Sequence, residues 1–496
     1  MRNFLYHLLA IAFIIPFINS CNPRLEADQV VTRPNFLFIL TDDLGWRDLS
    51  SFGSYFYETP NIDRIAAGGT KFTQAYAACP VCSPTRSSIM TGKYPARTDN
   101  TDWFGAPQPE EAANHHTGKK PLLPAPYKEY MELDEVTIAE ALKEAGYQTF
   151  FAGKWHLGPE EKYWPQNQGF DVNKGGWTRG APNRRDDANG YFSPYGNPEL
   201  EDGPDGEYLP LRLAEETNKF IEANQDSSFF AYLSLYSVHT PLMTTDELLT
   251  KYESKKLQLG LEDKWGKEGE REVRMVQCHP TYGGMVEAMD RAIGMVTSKL
   301  DELGLSDNTI IFFMSDNGGL STSEGHPTAN LPLRAGKGWL YEGGIREPMF
   351  INWPGVTKAG THCEIPVTST DFYPTILEMA GVPLRPEQHL DGVSLARVLQ
   401  NPVTDSAVHE SIFWHYPHYG NQGGSPGSVI RKGDWKLIKF YEEGQPLELY
   451  NLKEDISEYN NLADQYPERV QQMEAELDQW LQEVDAKFPS PNPNAG

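Results

Sequence analysis

The sequence predicts an α/β fold with a large mixed, mainly parallel sheet, followed by a smaller α+β domain. Apolar runs suited to strands buried on both faces alternate with amphipathic helical segments, an order typical of parallel sheets. Beyond about Asn401 the pattern changes to short strands joined by tight turns and one closing helix. The expected units are therefore a large domain at residues 34–400 and a smaller C-terminal domain at residues 401–496.

The elements of the larger domain follow from local patterns. Strands are predicted at apolar runs, and helices where apolar residues repeat every three to four positions up to a glycine. The predicted strands are NFLFIL at 35–40, QTFFAG at 148–153, SSFFAYLSLYSVH at 227–239 and TIIFFM at 309–314, and the predicted helices are TIAEALKEA at 137–145 and YGGMVEAMDRAIGMVTSKLDEL at 282–303. Residues 98–130 and 163–210 lack either pattern and are expected to form substrate-facing loops.

The C-terminal domain has its own pattern. Residues 428–452, SVIRKGDWKLIKFYEEGQPLELYNL, indicate an antiparallel meander with turns at Gly433 and Gly444. Residues 467–488, PERVQQMEAELDQWLQEVDAKF, indicate an amphipathic helix. Together they predict a small antiparallel sheet covered by one helix.

The charge balance excludes one class of partner. Among 496 residues there are 43 Lys and Arg against 69 Asp and Glu, a net charge of −26. Nucleic-acid binding depends on clustered positive charge, so no nucleic-acid partner is expected. An anionic small substrate is still compatible with this charge, because salt screens exposed charges beyond about 10 Å.

The first 33 residues predict export. A basic start and an apolar stretch from Leu8 to Ile18 are typical of a secretion signal and too short to span a membrane. Residues 18–21, Ile-Asn-Ser-Cys, resemble a bacterial lipoprotein cleavage site, which predicts a signal peptide at 1–20, a lipid on Cys21 and a tether at 21–33. The alternative is an ordinary cleaved signal with an incidental cysteine. The expected location is the periplasm or, through a lipid on Cys21, the outer membrane of a bacterium.

Carboxylates follow two of the predicted strands. Asp42 and Asp43 come after the first strand, and Asp316 and Asn317 come after TIIFFM. Ligands collect at the carboxyl ends of parallel strands, and neighbouring carboxylates need a neutralising partner. Oxygen ligands of this kind favour Ca²⁺ or Mg²⁺ over zinc. Taken singly, each pair is also compatible with a helix cap or a turn.

A Cys-x-x-Cys pair, Cys79 and Cys82, opens the stretch CPVCSPTRSSIMTG at 79–92. Such a pair is typical of a redox site or half of a zinc site, but neither explains the Pro, the Arg and the hydroxyl residues that follow. With only five cysteines in the chain, a disulfide framework is not expected.

Six motifs in order resemble the type I sulfatases, the calcium-dependent arylsulfatase-like family. They are NFLFILTDDLGW, CSPTRSSIMTG, AGKWHLG, HTP, MSDNGG and RAGKGWLYEGGIREP, spread over residues 34–395. The resemblance implies the alkaline phosphatase-like α/β sandwich and Ca²⁺. It also implies a Cα-formylglycine made from Cys82, with a formylglycine-generating or anaerobic sulfatase-maturating enzyme as partner. Thr85 stands where the family more often has serine or alanine.

The family positions imply a role for each site residue. The hydrated formylglycine at Cys82 would be the nucleophile, Arg86 would anchor it, Lys154 and Lys337 would bind sulfate oxygens, His239 would protonate the leaving oxygen and His156 would assist release of sulfate. The implied metal ligands are Asp42, Asp43, Cys82, Asp316 and Asn317. Because a sulfate ester repels a nucleophile, charge neutralisation is expected to dominate catalysis.

The sequence indicates the substrate less directly than it indicates the reaction. Export and long aromatic-rich loops predict an exo-acting sulfatase of a sulfated carbohydrate, with galactose or N-acetylgalactosamine 4-O-sulfate as a candidate. The candidate sugar-binding residues are Arg179, His326 and His415, with Trp103, Trp177, Trp414 and Tyr191 as candidate stacking rings. The alternatives are a phosphonate or phosphate ester hydrolase of the same superfamily and a catalytically dead glycan-binding lipoprotein.

Overall fold

The apolar runs form a large sheet whose strands mostly run parallel. The structure, a computed structural model, describes residues 33–115, 117–402 and 406–496, so the predicted signal peptide and Cys21 lie outside the described residues. The strands are β1 (Asn35–Thr41), β2 (Thr70–Tyr76), β3 (Leu122–Leu123), β4 (Gln148–Gly153), β5 (Val172–Lys174), β6 (Phe229–Ser234), β7 (Trp265–Glu268), β8 (Arg271–Arg274), β9 (Thr309–Ser315), β10 (Arg346–Asn352), β11 (Thr361–Cys363), β12 (Val367–Thr368), β13 (Ile412–Tyr416), β14 (Gly427–Lys432), β15 (Trp435–Phe440), β16 (Glu448–Asn451) and β17 (Ser490–Pro491).

The helices alternate with these strands as the sequence predicts. They are α1 (Pro60–Gly68), α2 (Cys82–Thr91), α3 (Pro95–Thr98), α4 (Ile138–Glu144), α5 (Leu209–Ala223), α6 (Asp246–Gln258), α7 (Pro280–Glu302), α8 (Glu342–Ile345), α9 (Phe372–Met379), α10 (Ala396–Gln400) and α11 (Pro467–Glu483). Among the described residues, no helix is both long enough and apolar enough to cross a membrane.

The large sheet has the order β11-β2-β10-β9-β1-β6-β4-β5, with β12 also paired to β2. Its central strand β1 runs parallel to β9 and β6, and β4 runs parallel to β6 and β5. Only β10 is antiparallel to its neighbours within this described sheet. The mixed, mainly parallel sheet is therefore confirmed, and the carboxyl ends of β1, β4, β6 and β9 meet along one edge.

Two cores cover the two faces of this sheet. On β1, Phe36, Phe38 and Leu40 pack in the core that includes helices α2, α4 and α9. Leu37 and Ile39 point to the other face, into the core with α1, α5 and α7. A continuous apolar run is needed because both faces of the strand are buried.

The predicted meander forms the C-terminal sheet, with an additional strand. The sheet has the order β13-β14-β15-β16, all antiparallel, and β13 was not predicted. One face packs against the larger domain through Trp414 and Tyr76. The other face packs on α11 through Leu437 and Leu477. The predicted α+β C-terminal unit is thus an antiparallel sheet covered by one helix.

Candidate active site

The two predicted carboxylate pairs meet at the carboxyl edge of the sheet. Thr41 pairs with Ser315 at the ends of β1 and β9, and this register brings the residues that follow each strand together. The backbone N–H of Asp43 donates to Asp316 Oδ1 at 3.3 Å, and Asn317 Nδ2 donates to Asp43 Oδ1 at 2.8 Å. Asp43 has a left-handed φ of 60°, a strained conformation of the kind found at functional sites.

Two buried lysines neutralise these carboxylates. Lys154, just after β4, lies 2.6 Å from Asp42 Oδ2, and Lys337 lies 2.6 Å from Asp43 Oδ1. Burial acts to lower the pKa of both lysines, but the neighbouring carboxylates outweigh it and the lysine pKa values rise. Burial, and next the neighbouring Asp316, raise the pKa of Asp42 to about 6.

Cys82 is the first residue of α2. Its Sγ lies 3.7 Å from Asp42 Oδ1, and burial raises the pKa of the thiol to about 12. An unmodified thiol at this pKa is almost entirely protonated at neutral pH and is a poor nucleophile. The N-terminal end of the ten-residue helix α2 carries partial positive charge, which favours an anion beside residue 82.

Arg86, one turn further along α2, is held by three fixed acceptors. Its Nε donates to Asp316 Oδ2 at 2.8 Å, while one Nη donates to Lys154 O at 2.8 Å and to Ser234 Oγ at 2.7 Å. The side chain is only 3% exposed. Arg86 therefore ties the ends of β4, β6 and β9 to the helix that carries Cys82.

The donor set fits a hard cation such as Ca²⁺. Carboxylate and other ligand atoms of Asp42, Asp43, Cys82 and His239 lie within 4.8 Å of one another. Within the described part of the chain, Asp43 Oδ2 and Asn317 Oδ1 are buried and accept no hydrogen bond. Buried acceptors without partners are costly, and oxygen atoms of this kind are the ligands that Ca²⁺ prefers. Asp316 differs from the other predicted ligands because Arg86 occupies its Oδ2.

The two predicted catalytic histidines have different environments. His239 Nδ1 bonds the Thr240 carbonyl at 2.7 Å, and its Nε2 lies 3.7 Å from Asp43 Oδ2 at the cleft. His156 Nδ1 bonds Ser83 Oγ at 3.1 Å and its Nε2 bonds the Phe104 carbonyl at 3.0 Å. Burial and Lys154 hold the pKa of His156 well below its usual range, so its ring is neutral.

A cleft of about 370 Å³ opens above this cluster. Its lining residues are Cys82, Trp103, Phe104, His156, Thr178, Arg179, Gly180, Ala181, Pro182, His239, Glu324, Lys337, Asn421 and Gln422. The cleft thus joins the predicted nucleophile, both histidines, one sulfate-binding lysine and the predicted substrate residue Arg179. The guanidinium of Arg179 also lies 5.5 Å from the centre of the Trp177 ring.

Several predicted sugar-binding residues are not at this cleft. His415 is buried in the C-terminal domain, where its ring bonds Ser428 Oγ and the Lys487 carbonyl. His326 packs its ring edge-on against Trp265 and is absent from the described cleft lining. Trp414 and Tyr191 are core residues, since they are 1% and 0% exposed. The assignments of His415, Trp414 and Tyr191 were wrong because the sequence does not distinguish a loop ring from a packed ring. A sugar contact of His326, which is half-buried, stays a prediction.

The sequence patterns missed four residues at the site. Glu324 and Gln422 line the cleft from separate domains, Phe104 lines it and contacts His156, and the buried Ser83 contacts His156 from beneath the lining. Ser83 lies inside the CSPTR motif, so its position beside Cys82 was a usable signal. Glu324 and Gln422 carry no such signal, because they lie in Gly-rich segments whose course depends on the fold.

The comparisons with known proteins agree with this geometry. A family model described as Sulfatase matches residues 34–382, and one described as N-sulphoglucosamine sulphohydrolase, C-terminal, matches residues 335–487. A protein named Sulfatase from Formosa agariphila is 31% identical, with 97% of this chain and 94% of that protein covered. The chain therefore belongs to the sulfatase family, the type I sulfatases of the alkaline phosphatase superfamily. It is a sulfuric ester hydrolase.

Two further relatives carry more specific names. N-acetylgalactosamine-6-sulfatase from Rattus norvegicus is 32% identical, with 76% of this chain and 67% of that protein covered. The crystal structure of Ps i-CgsB in complex with k-i-k-neocarrahexaose superposes with a TM-score of 0.72 at 29% identity. That superposition covers 94% of this chain and 95% of the other. Both relatives thus span most of the described fold.

Proposed function

We propose that this chain is an exported, formylglycine- and Ca²⁺-dependent sulfatase that removes sulfate from the terminal sugar of a sulfated carbohydrate. The observation that carries the proposal is the position of Cys82, at a helix N-terminus among buried lysines and the unpaired oxygens of Asp43 and Asn317, at a cleft. Formylglycine at position 82 would supply a hydroxyl nucleophile, and Ca²⁺ held by Asp42, Asp43, Asp316, Asn317 and residue 82 would supply positive charge.

The first task of the chain's own residues is to bind the sulfate group. Lys337 lines the cleft and Lys154 lies beside Cys82 and Asp42, so two ammonium groups face the place where the sulfate oxygens would sit. Their raised pKa values keep both protonated across the physiological range. Fixed positive charge aimed at the transferring group is worth more in a buried site than in water.

The second task is to supply a proton to the departing sugar oxygen. His239 fits it, because its Nδ1–H donates to the Thr240 carbonyl and its Nε2 is left facing the cleft and Asp43. An imidazole whose Nε2 faces the cleft has the geometry of a general acid for the leaving oxygen.

His156 has a different part in the proposal. Both of its ring nitrogens are engaged, so we propose that it receives a proton through the Ser83 hydroxyl. The neutral ring that its low pKa implies can accept that proton.

The size of the cleft suits recognition of a single sugar residue. A volume of about 370 Å³ is near the lower end for small-molecule sites and suits one monosaccharide. Among its lining residues, Trp103 offers an aromatic ring for stacking and Arg179 a positive group. The relatives named for N-acetylgalactosamine-6-sulfate and seen with a neocarrahexaose favour galactose-type sugars. We keep a 4-O-sulfate of galactose or N-acetylgalactosamine as the candidate, with the 6-O-sulfate as the alternative.

The maturation of Cys82 is tested first. The tryptic peptide of residues 72–86 from the protein in its native host is expected to carry an aldehyde in place of the thiol, by mass spectrometry. A fully unmodified peptide in active protein would contradict the proposed nucleophile. The same cells report on export, since the proposed lipid on Cys21 predicts a membrane-fraction protein that a Cys21→Ala variant releases.

The reaction is tested next on a panel of esters. Galactose and N-acetylgalactosamine sulfated at position 3, 4 or 6 are compared with 4-nitrophenyl sulfate and with the matching phosphate and phosphonate esters. Faster release of sulfate from the sugars is expected. Equal or faster turnover of the phosphorus esters would favour a phosphonate or phosphate ester hydrolase, and binding without any turnover would favour a glycan-binding protein.

A further inference from the structure

One carboxylate lies in a cleft that is otherwise built for an anion. Glu324 lines the cleft together with Lys337, and it lies outside the cluster of carboxylates that fits a cation. A negative charge beside a sulfate site weakens sulfate binding by repulsion. A carboxylate at this position therefore needs a role in substrate binding that offsets the repulsion.

The contacts of Glu324 leave it able to accept further hydrogen bonds. Its Oε1 accepts from Gln422 Nε2 at 2.7 Å and more weakly from Asn421 Nδ2 at 3.4 Å. Its Oε2 accepts a long bond of 3.3 Å from Thr240 Oγ1. Each carboxylate oxygen has two lone pairs, so capacity remains on the side that faces the cleft. The backbone of Glu324 is held at a left-handed φ of 52°, which few non-glycine residues adopt.

Gln422 supplies a second acceptor at the same place. Its side chain is 2% exposed yet lines the cleft, and its Oε1 has no hydrogen-bond partner among the described residues. Because its Nε2 is committed to Glu324, the amide is oriented with the oxygen free. An unpaired buried carbonyl is destabilising, and a hydrogen-bond donor on a ligand would remove that cost.

We propose that Glu324 and Gln422 form a subsite that recognises a free hydroxyl next to the sulfated carbon and rejects a second sulfate there. The proposal rests on the proposed sulfatase function and deepens it. Hydroxyls are the neutral donors that a sugar presents to paired acceptors, and a hydrogen bond to a carboxylate is stronger than one to a neutral acceptor. A sulfate in the same position would offer no donor and would be repelled by the carboxylate.

The position of this subsite explains why it would read the neighbouring hydroxyl. Thr240, which contacts Glu324, directly follows His239, the proposed acid for the leaving oxygen. Glu324 also lines the same cleft as Lys337, the proposed sulfate ligand. A group that shares the cleft with the proposed acid and the proposed sulfate ligand is in position to meet a hydroxyl near the sulfated carbon. Gln422 comes from the loop between β13 and β14, so the C-terminal domain would take part in choosing the substrate.

The test compares a sugar that has the hydroxyl with one that lacks it. The substrates are the fastest monosulfated sugar of the panel, its analogues deoxygenated at each carbon next to the sulfated one, and 4-nitrophenyl sulfate. In the wild type, kcat/KM is expected to fall about 10- to 100-fold for one deoxy analogue. In Glu324→Gln, the ratio of sugar to aryl kcat/KM should fall by a similar factor, and the deoxy change should cost little more.

A binding measurement separates recognition from turnover. In a Cys82→Ala background, calorimetry with the same sugar is expected to give a Kd about 10- to 100-fold higher for Glu324→Gln. Glu324→Gln should also narrow the preference for the monosulfated sugar over the analogue sulfated at the neighbouring position. Glu253→Gln, an exposed carboxylate on α6, is the matched control and should leave these ratios unchanged.

The outcomes distinguish the two proposals. If the wild type, with Cys82 matured, releases sulfate from no ester, the proposed function fails. If it hydrolyses sugar sulfates but Glu324→Gln keeps the wild-type sugar-to-aryl ratio and Kd, the hydroxyl subsite is overturned. If only the aryl ester is hydrolysed, the carbohydrate substrate and the hydroxyl subsite are both rejected. A Gln422→Met variant, similar in shape, should shift the ratio in the same direction about 3- to 10-fold.

Discussion

Two clusters of buried charge lie at opposite ends of one segment, residues 334–347. The site cluster surrounds Cys82, and the interface cluster joins the larger domain to the C-terminal sheet. The site cluster consists of Asp42, Asp43, Arg86, Lys154, Asp316 and Lys337, and the interface cluster of Tyr76, Glu342, Arg346, Lys436 and Glu458. In burial and composition they are alike, so neither property identifies the functional one.

The two clusters differ in whether protein groups pair all of their charged atoms. In the interface cluster, Lys436 Nζ lies 3.0 Å from Glu342 Oε1 and 2.7 Å from Glu458 Oε1, and protein surrounds all three. In the site cluster, Asp43 Oδ2 accepts no hydrogen bond from the described residues and the cluster faces a cleft. Unpaired acceptors that face a cleft therefore indicate chemistry, whereas closed ion pairs indicate docking of domains.

The largest expected effect is the loss of the nucleophile. Cys82→Ala should lower kcat about 10⁴-fold or more, because the residue that forms the bond to sulfur is gone. Cys79→Ser is the matched control, since Cys79 is buried in the interface core and no catalytic role is assigned to it. Initial rates of sulfate release from equal amounts of folded protein test this, and equal loss in both variants would contradict the separate roles.

Lys436→Met should affect stability and spare chemistry. Removing this cation leaves Glu342 and Glu458 buried without their shared partner, which is expected to cost about 3–5 kcal/mol of unfolding free energy. Urea unfolding followed by circular dichroism measures the loss. The folded fraction should retain the wild-type KM. A changed KM with unchanged stability would contradict a structural role for the interface cluster.

Lys337→Met should reduce activity strongly and stability only weakly. The substitution removes a proposed ligand of the sulfate oxygens and is expected to reduce kcat/KM about 10²–10³-fold. Asp43 loses one partner but keeps Asn317 and His239 nearby, so we expect a smaller loss of stability than in Lys436→Met. Paired measurements of kcat/KM and urea midpoints on both variants give the contrast directly.

The smallest expected effect is a pH dependence outside both clusters. Burial acts to lower the pKa of His409, but Asp371, 2.8 Å from its Nε2, outweighs burial and raises it. Because this pKa is higher in the folded than in the unfolded protein, protonation of His409 stabilises the fold. The stabilisation is complete below the unfolded pKa of about 6.5 and disappears as the pH rises through the folded pKa. His409→Gln should cost about 1–3 kcal/mol at pH 5.5 and less at pH 9. A loss that is equal at both pH values would contradict this coupling.

Prediction from sequence succeeded where chemistry and periodicity coincide. Asp42, Asp43, Asp316 and Asn317 follow apolar strands, and parallel strands deliver such residues to one edge whatever the details of packing. The CSPTR stretch indicated that Cys82 and Arg86 act together, and the structure places them one turn apart on α2. These features depend on local pattern and on a resemblance carried by short motifs.

It failed for residues whose role depends on distant contacts. His415 and Trp414 lie on β13, a strand that was not predicted, and its pairing buries both side chains. Glu324 reaches the cleft because its loop meets Gln422, 98 residues later in the chain. No periodicity encodes a contact of that separation.

The sequence by itself determined the fold class, the position of the proposed nucleophile and the charged residues that gather around it, because strand ends and motif spacing are local properties. Only the tertiary structure decided which oxygens are left unpaired, which of the two charge clusters opens on a cleft, and which side chains line that cleft. Those properties arise where loops from separate strands and from two domains meet, and burial there decides whether a polar side chain is satisfied by protein or left for a ligand.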